Sequence, residues 1–352
     1  MKKILMAIFI LAMIIFPAFS NVQAEEPNVH VSIYPIYEIA DRIGGERLNI
    51  HQVTPDGTEI HGYEPSPRVL GQLENTDLFI FIGEKLQGWT DNVAENLKAD
   101  GIQVIDLTEH VNLIEYRGDH DHSHDHGDDD HHGHDHGDDD DHGHDHGDDD
   151  DHGHDHGDDD DHGHDHGDDD HHGHDHAHGE YDNHIWLDFN NMIMIAELIA
   201  EEFSALDPEG EDEFHANADE VINELRELDQ AYKEGLQDLT HNTIIVSHAA
   251  FGYLAEDYGL NQVAVTGLDP HSEPSSQTIR ELINLAQETG LEHIFLEVLA
   301  SPRAVDVIAE EAGLEVLTLN PAAGLREEDI ENDENYFTIM YNNLENLKEA
   351  LK

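Results

Sequence analysis

Between Gly127 and His176 a ten-residue unit, G-D-D-D-D-H-G-H-D-H or G-D-D-D-H-H-G-H-D-H, runs five times in succession, and no hydrophobic core can be built from it. The stretch from Asp119 to His178 holds 22 of the 32 histidines and 26 of the 81 acidic residues, with no Lys, no Arg and no large apolar side chain. With no apolar surface to bury, nothing offsets the roughly 1–2 kcal/mol per residue lost in fixing a backbone. The segment is therefore expected to be a disordered, exposed loop. Nearly every side chain in it is a potential metal ligand, so metal is the first subject the chain raises.

The opening residues point outside the cytoplasm. Lys2 and Lys3 precede thirteen apolar residues, Ile4 to Phe16, followed by the small-residue site Val22-Gln23-Ala24. This is the pattern of a secretory signal peptide, expected over residues 1–24. Thirteen apolar residues fall short of the ~20 that span a bilayer, and no later stretch reaches that length. The chain has no cysteine. A lipid-accepting cysteine is thus absent, and the expectation is a soluble periplasmic protein that is not lipid-anchored. Any tight metal site must be built from His, Asp and Glu.

Formal net charge is −66 at pH 7, and −40 remains once the tract is set aside. Such a balance disfavours nucleic acid and anionic membranes as partners, because both are bound through basic side chains. Excess acidity in the folded part fits adaptation to high salt, where screening relieves self-repulsion. It equally fits an ordinary acidic exported protein.

About 270 residues remain outside the signal and the tract, enough for two domains of ordinary size. Short β-branched runs at 29–33, 48–53, 78–82 and 103–106 alternate with helical patterns at 37–43, 67–74 and 88–98. The order recurs with strands at 243–247, 261–266, 293–297 and 315–319, helices at 251–258, 275–289 and 303–312, and a last helix at 336–351. The expected fold class is α/β: two similar lobes, each a four-stranded parallel sheet. A helix is expected over 190–206, and after Asp207-Pro208 a second over about 211–239, roughly 40 Å long at 1.5 Å per residue. The boundaries that follow are an N-terminal lobe over 25–206 carrying the insertion 118–179, a linking helix over 207–240, and a C-terminal lobe over 241–352. Two shorter packed helices are the alternative to one stiff connector.

Open parallel sheets bind ligands beyond the carboxyl ends of their strands. Three histidines fall in such places: His61 in T-E-I-H-G-Y-E-P-S-P, His248 in I-V-S-H-A-A-F-G-Y, and His184 in D-N-H-I-W-L-D-F, where the tract rejoins the fold. A lone histidine near a strand end is more often a packing residue than a ligand. Taken together and in this order around a His-rich insertion, however, H-G-Y-E-P-S-P, H-I-W-L-D and V-S-H-A-A-F-G-Y resemble the metal-binding solute-binding proteins of zinc and manganese ABC transporters (cluster A-I, or cluster 9). The zinc branch is the nearer, and the resemblance extends to the final Y-F-T-I-M-Y-N-N-L-E-N-L-K-E-A-L helix.

That resemblance implies two α/β lobes joined by a rigid helix, one metal ion in the cleft between them, and ligand roles for His61, His184 and His248. It also implies an ABC permease and its ATPase as partners, a monomeric carrier, Zn2+ as the bound ion and no enzymatic activity. In the manganese branch a glutamate typically matches His248. Three imidazole nitrogens suit a borderline ion such as Zn2+, whereas Mn2+ gains more from carboxylates. One departure is Asn320, in L-T-L-N-P-A-A-G, where the family commonly has aspartate. The fourth position then falls to water, Glu59, Asn320 or a residue of the tract, with water or Glu59 favoured. His271, in L-D-P-H-S-E-P-S, is expected to support the site or lie on the surface, and Glu297 to support it from a strand end. His30, His51, His110, His215, His241 and His293 have no ligand-like setting.

The tract is expected to bind several ions weakly and to lose them as pH falls, because neighbouring aspartates favour protonated histidine. It could collect zinc for the cleft, buffer an excess, or be a repeat that expanded with little effect. Two other classes of function compete with transport. Three histidines and a water are also the ligand set of zinc hydrolases and hydratases, although no H-E-x-x-H helix is present. A metal buffer or adhesin without a permease is the remaining alternative.

Overall fold

The computed structural model describes residues 26–83, 86–116 and 181–352. The signal peptide expected over 1–24 and the insertion expected over 118–179 lie outside the described residues. Two parallel four-stranded sheets organise the rest. The first holds β1 (Asn28–Val31), β2 (Asn49–Gln52), β3 (Leu78–Phe81) and β4 (Gln103–Asp106), in the order β2-β1-β3-β4. The second holds β5 (Thr243–His248), β6 (Asn261–Thr266), β7 (His293–Leu296) and β8 (Glu315–Thr318), in the matching order β6-β5-β7-β8. Every pairing is parallel, with Val31 opposite Ile80 in the first sheet and Val246 opposite Phe295 in the second.

Parallel strands require crossovers, and helices supply them. These are α1 (Tyr34–Gly44), α2 (Pro67–Leu73) and α3 (Thr90–Ala99) in the first half, and α6 (Gly252–Tyr258), α7 (Ser276–Thr289) and α8 (Arg303–Ala312) in the second. Their ends are written locally. Ser66 Oγ accepts from the Val69 amide at 3.4 Å and Pro67 opens α2, an N-cap followed by a residue already fixed at a helical φ. In the second half each crossover helix ends in Gly-Leu. Gly259 and Gly290 take the left-handed φ of 69° and 70° that lets the chain turn out of the helix, and the next leucine amide bonds back to Ala255 and Ala286 at 2.9 and 3.1 Å. The leucines are buried, so each turn is held by a hydrogen bond and an apolar contact.

Between the sheets run α4 (Phe189–Leu206) and α5 (Glu211–Gly235). One continuous helix of 25 residues replaces the alternative of two short ones. It ends at Gly235, four residues before the expected Leu239; Leu236 caps it and Asp238 turns to a φ of 55°. Glu211, Asp212 and Glu213 lie in its first turn and Lys233 in its last, each sign complementing the helix dipole. Its apolar face, Phe214, Ala218, Val221, Leu225, Leu228 and Tyr232, is buried at helical spacing. It packs against α1 and α4 of the first half and against α10 (Tyr336–Leu351), where Tyr232 Oη donates to the Met340 carbonyl at 2.7 Å. One core therefore runs from Val29 and Ile80 through α4 and α5 to Val246 and Leu344, and the two sheets share it. The short α9 (Glu327–Glu331) has no counterpart in the sequence expectation.

Candidate metal centre

His61, His184 and His248 converge at the carboxyl ends of the strands, and each offers one ring nitrogen within 4.8 Å of the others. No other group of three or more His, Cys, Asp or Glu side chains among the described residues is arranged to hold a metal ion. The three come from different elements by different means.

His248 is the last residue of β5, and the strand itself aims it. Because β7 lies beside β5, Glu297 at the end of β7 is brought against it. Glu297 Oε1 accepts from Ser247 Oγ at 2.6 Å, from the His248 amide at 3.2 Å, and from His248 Nδ1. His184 precedes a single 3-10 turn, Ile185–Leu187, whose three side chains are fully buried. Asp182, two residues back, accepts from both the His184 amide at 3.0 Å and its Nδ1 at 2.8 Å. Trp186 then ties the segment to the second half, donating from Nε1 to the Pro321 carbonyl at 2.6 Å, while Tyr336 Oη donates to the Trp186 carbonyl at 2.6 Å.

His61 stands on the loop between β2 and α2. Glu59 folds back under it, Oε1 accepting from the His61 amide and Oε2 from the Gly62 amide, both at 2.9 Å. Buried Gln87 donates to Thr54 Oγ1 at 2.8 Å and to the Ile60 carbonyl at 3.3 Å, pinning the residue before the ligand candidate. Burial first, and then the neighbouring imidazoles of His184, His248 and His271, push the His61 ring down to a pKa of about 2. Its lone pair is thus free at any physiological pH.

The orientation of the rings decides what the cleft can do. With Nδ1 held against Asp182 and Glu297, both rings turn their outer nitrogens inward, and His184 Nε2 and His248 Nε2 face each other at 3.3 Å. Two ring nitrogens at that distance are held by a proton or a metal ion between them. Ligand nitrogens at 2.0–2.1 Å from a tetrahedral ion stand about 3.3 Å apart, so the spacing suits zinc. A carboxylate on each Nδ1 also raises the basicity of the ring and fixes its orientation toward a metal. The three rings line a small pocket together with Glu59, Trp186, Glu297 and Asn320.

Asn320 Oδ1 accepts from the Ala322 amide at 2.9 Å, and its backbone is clamped on both sides by Asn343 at 2.8 and 2.6 Å. Its amide oxygen is therefore engaged in shaping the turn after β8. His271 reaches Glu59, its Nε2 lying 2.8 Å from Oε2. Asp182 is the contributor that the sequence expectation lacks; its signal was the D-N-H spacing, hard to distinguish beside a tract full of aspartate and histidine.

Fold and site together have the arrangement of the metal-binding solute-binding class, two parallel α/β sheets with a cluster of three histidines. Residues 29–350 match the family described as ZnuA, zinc-uptake complex component A, periplasmic, and the chain belongs to that family. It is 30% identical over 352 residues to the zinc-binding lipoprotein AdcA of Streptococcus pneumoniae (strain ATCC BAA-255 / R6), covering 99% of this chain and 61% of that protein. The chain thus spans about three fifths of that relative's length. It is 26% identical over 329 residues to the high-affinity zinc uptake system protein ZnuA of Bacillus subtilis (strain 168), covering 94% and 89%. The Zn(II)-bound ZnuA-like domain of Streptococcus pneumoniae AdcA superposes with a TM-score of 0.67 at 28% identity, covering 93% of this chain and 99% of that one.

Proposed function

We propose that the protein captures Zn2+ outside the cytoplasm, holds it through His61, His184 and His248, and delivers it to the permease of an ABC importer driven by its ATPase. It works as a monomeric periplasmic carrier without catalytic turnover. The observation that carries this is that His184 Nε2 and His248 Nε2 face each other at 3.3 Å with the third imidazole beside them. Three neutral nitrogens favour zinc over manganese, which gains more from carboxylates. Water takes the fourth position, since Glu59 Oε1 stands 4.0 Å from His61 Nε2 while its Oε2 faces His271, and Asn320 Oδ1 accepts from the Ala322 amide. Release requires the two halves to shift far enough to break the tetrahedral geometry. The Asp/His tract serves as an accessory collector of weakly held ions.

Metal content tests this directly. A chain lacking 118–179 is expected to retain one tightly held zinc, and the same chain with His61→Ala and His248→Ala is expected to retain none. If the shortened chain holds no zinc, or if the double variant keeps it, the three-histidine assignment is wrong.

A further inference from the structure

We propose that His271 and Glu59 form an outer metal site at the mouth of the cleft, through which Zn2+ passes on its way to His61. The inference rests on the three-histidine reading above and adds a route to it. His271 stands on the loop between β6 and α7, where its own amide bonds to Asp269 Oδ1 at 2.8 Å. From there its ring crosses to the first half of the molecule, with Nε2 2.8 Å from Glu59 Oε2. The other carboxylate oxygen, Oε1, lies 4.0 Å from His61 Nε2. Exposure falls stepwise along this line, from 59% at His271 to 24% at Glu59, 15% at His61 and 1% at His184. Only the first of these can meet a hydrated ion in open solvent. A groove lined by Glu59, His248 and His271 opens at the same place.

Chemistry and packing agree with a metal here. An imidazole nitrogen and a carboxylate oxygen are both zinc donors, and a separation of 2.8 Å widens only slightly to reach the ~3.3 Å between ligands of a tetrahedral ion. With two protein ligands and the rest water, such a site is weak and exchanges fast, as a transfer station must. Gly62 leaves the space for it. A Cβ at that position would stand 2.8 Å from His271 Nε2 and 3.6 Å from Glu59 Oε2, crowding the ring at the side of the pair.

A station on the route alters the rate of passage in both directions by one factor and leaves the equilibrium constant alone. A ligand of the final site changes the equilibrium constant, and a latch that only holds the halves together slows dissociation alone. Stopped-flow measurement of zinc binding to the full chain separates these. Trp186 is the reporter, its ring 5.2 Å from that of His184. His271→Ala is expected to lower association and dissociation rates together, on the order of tenfold, within the span over which association rates vary among related variants. His271→Gln keeps a hydrogen-bond donor for Glu59 but loses the ring nitrogen, and is expected to be as slow. Gly62→Ala, which displaces the ring without removing it, is expected to slow both rates as well. Unchanged rates in His271→Ala, a rise in dissociation alone, or normal rates in His271→Gln would each overturn the outer site. Failure of the parent chain to bind zinc tightly at equilibrium would instead remove the three-histidine reading and this route with it.

Discussion

His184 Nε2 and His248 Nε2 stand 3.3 Å apart, and behind each ring a buried carboxylate, Asp182 or Glu297, accepts from Nδ1. Each carboxylate also accepts from the backbone amide of the histidine it holds. The carboxylates are thus built into the fold and orient the rings before any metal arrives. A zinc ion that finds its ligands already aimed loses little to reorganisation.

Asp182→Asn and Glu297→Gln are therefore expected to weaken zinc binding by about 10–100-fold, the usual cost of losing a partner behind a metal-bound histidine. The shapes are nearly preserved, so secondary structure should not change. Competition against a chelator of known affinity measures the loss. Glu297→Gln carries an added stability cost, because Ser247 Oγ and the His248 amide share the same oxygen. Equal affinity in parent and variants would mean that the carboxylates do not orient the rings.

His30 gives the metal-free protein a defined response to acid. Burial, and secondarily the ring of His51 at 4.8 Å, push His30 down to about 4 from an ordinary 6.5. The unfolded chain takes up a proton as pH falls through 6.5, while the folded chain refuses it until about 4. The stability that depends on neutral His30 is complete above 6.5 and is lost progressively between those values. His30→Gln should flatten the dependence of stability on pH across that window by up to one proton, about 1.4 kcal/mol per pH unit. Urea midpoints at pH 7, 6, 5 and 4, taken on metal-free chains, check it. Parallel curves for parent and variant would rule it out.

The strands were legible because their β-branched runs are bounded by turns, and each expected end falls within two residues of the observed one. Helix starts at Pro67, Arg303 and Tyr336 were legible for the same local reason. The five residues of α9 were not, because Arg326 and Asp329 hold that turn by contacts between each other's side chains and backbone rather than by any periodicity. The overrun of α5 came from a stretch with few breakers, in which the helix nevertheless ends at Gly235, with Leu236 as its cap. His61, His184 and His248 could each be placed at a strand end or a segment boundary from sequence, yet nothing local says that they meet; the order of motifs in a known family supplied that link. Glu297 was visible as a strand end, and the β5–β7 pairing makes it a neighbour of His248. The contact of His271 with Glu59 spans 212 positions and leaves no periodic trace.

Acidification should strip the full chain of metal in two stages. Histidines of the tract, flanked by aspartates, hold protons more readily than free imidazole and release their ions first as pH falls. His61 resists protonation down to about 2, so the cleft has one ligand that acid does not remove. Zinc per chain, measured after equilibration from pH 8 to pH 4, is expected to fall from several ions to one before the last is lost. A chain lacking 118–179 should show only the second stage. Loss of all ions in one step from the full chain would contradict this order.

Salt should affect stability and zinc capture in opposite ways. A formal charge of −40 outside the tract repels itself, and counter-ions at a Debye length of about 10 Å in 0.1 M salt, shrinking to about 3 Å at 1 M, relieve that repulsion. The thermal midpoint of the metal-free chain is therefore expected to rise between 0.1 and 1 M NaCl. The same negative field draws a divalent cation toward the cleft, and screening weakens that attraction, so the association rate of zinc should fall over the same range. Dissociation starts from inside a cavity where the ligands are neutral imidazoles, and it should change less. A midpoint that does not rise with salt would show that the acidity of the folded part carries no strain for salt to relieve.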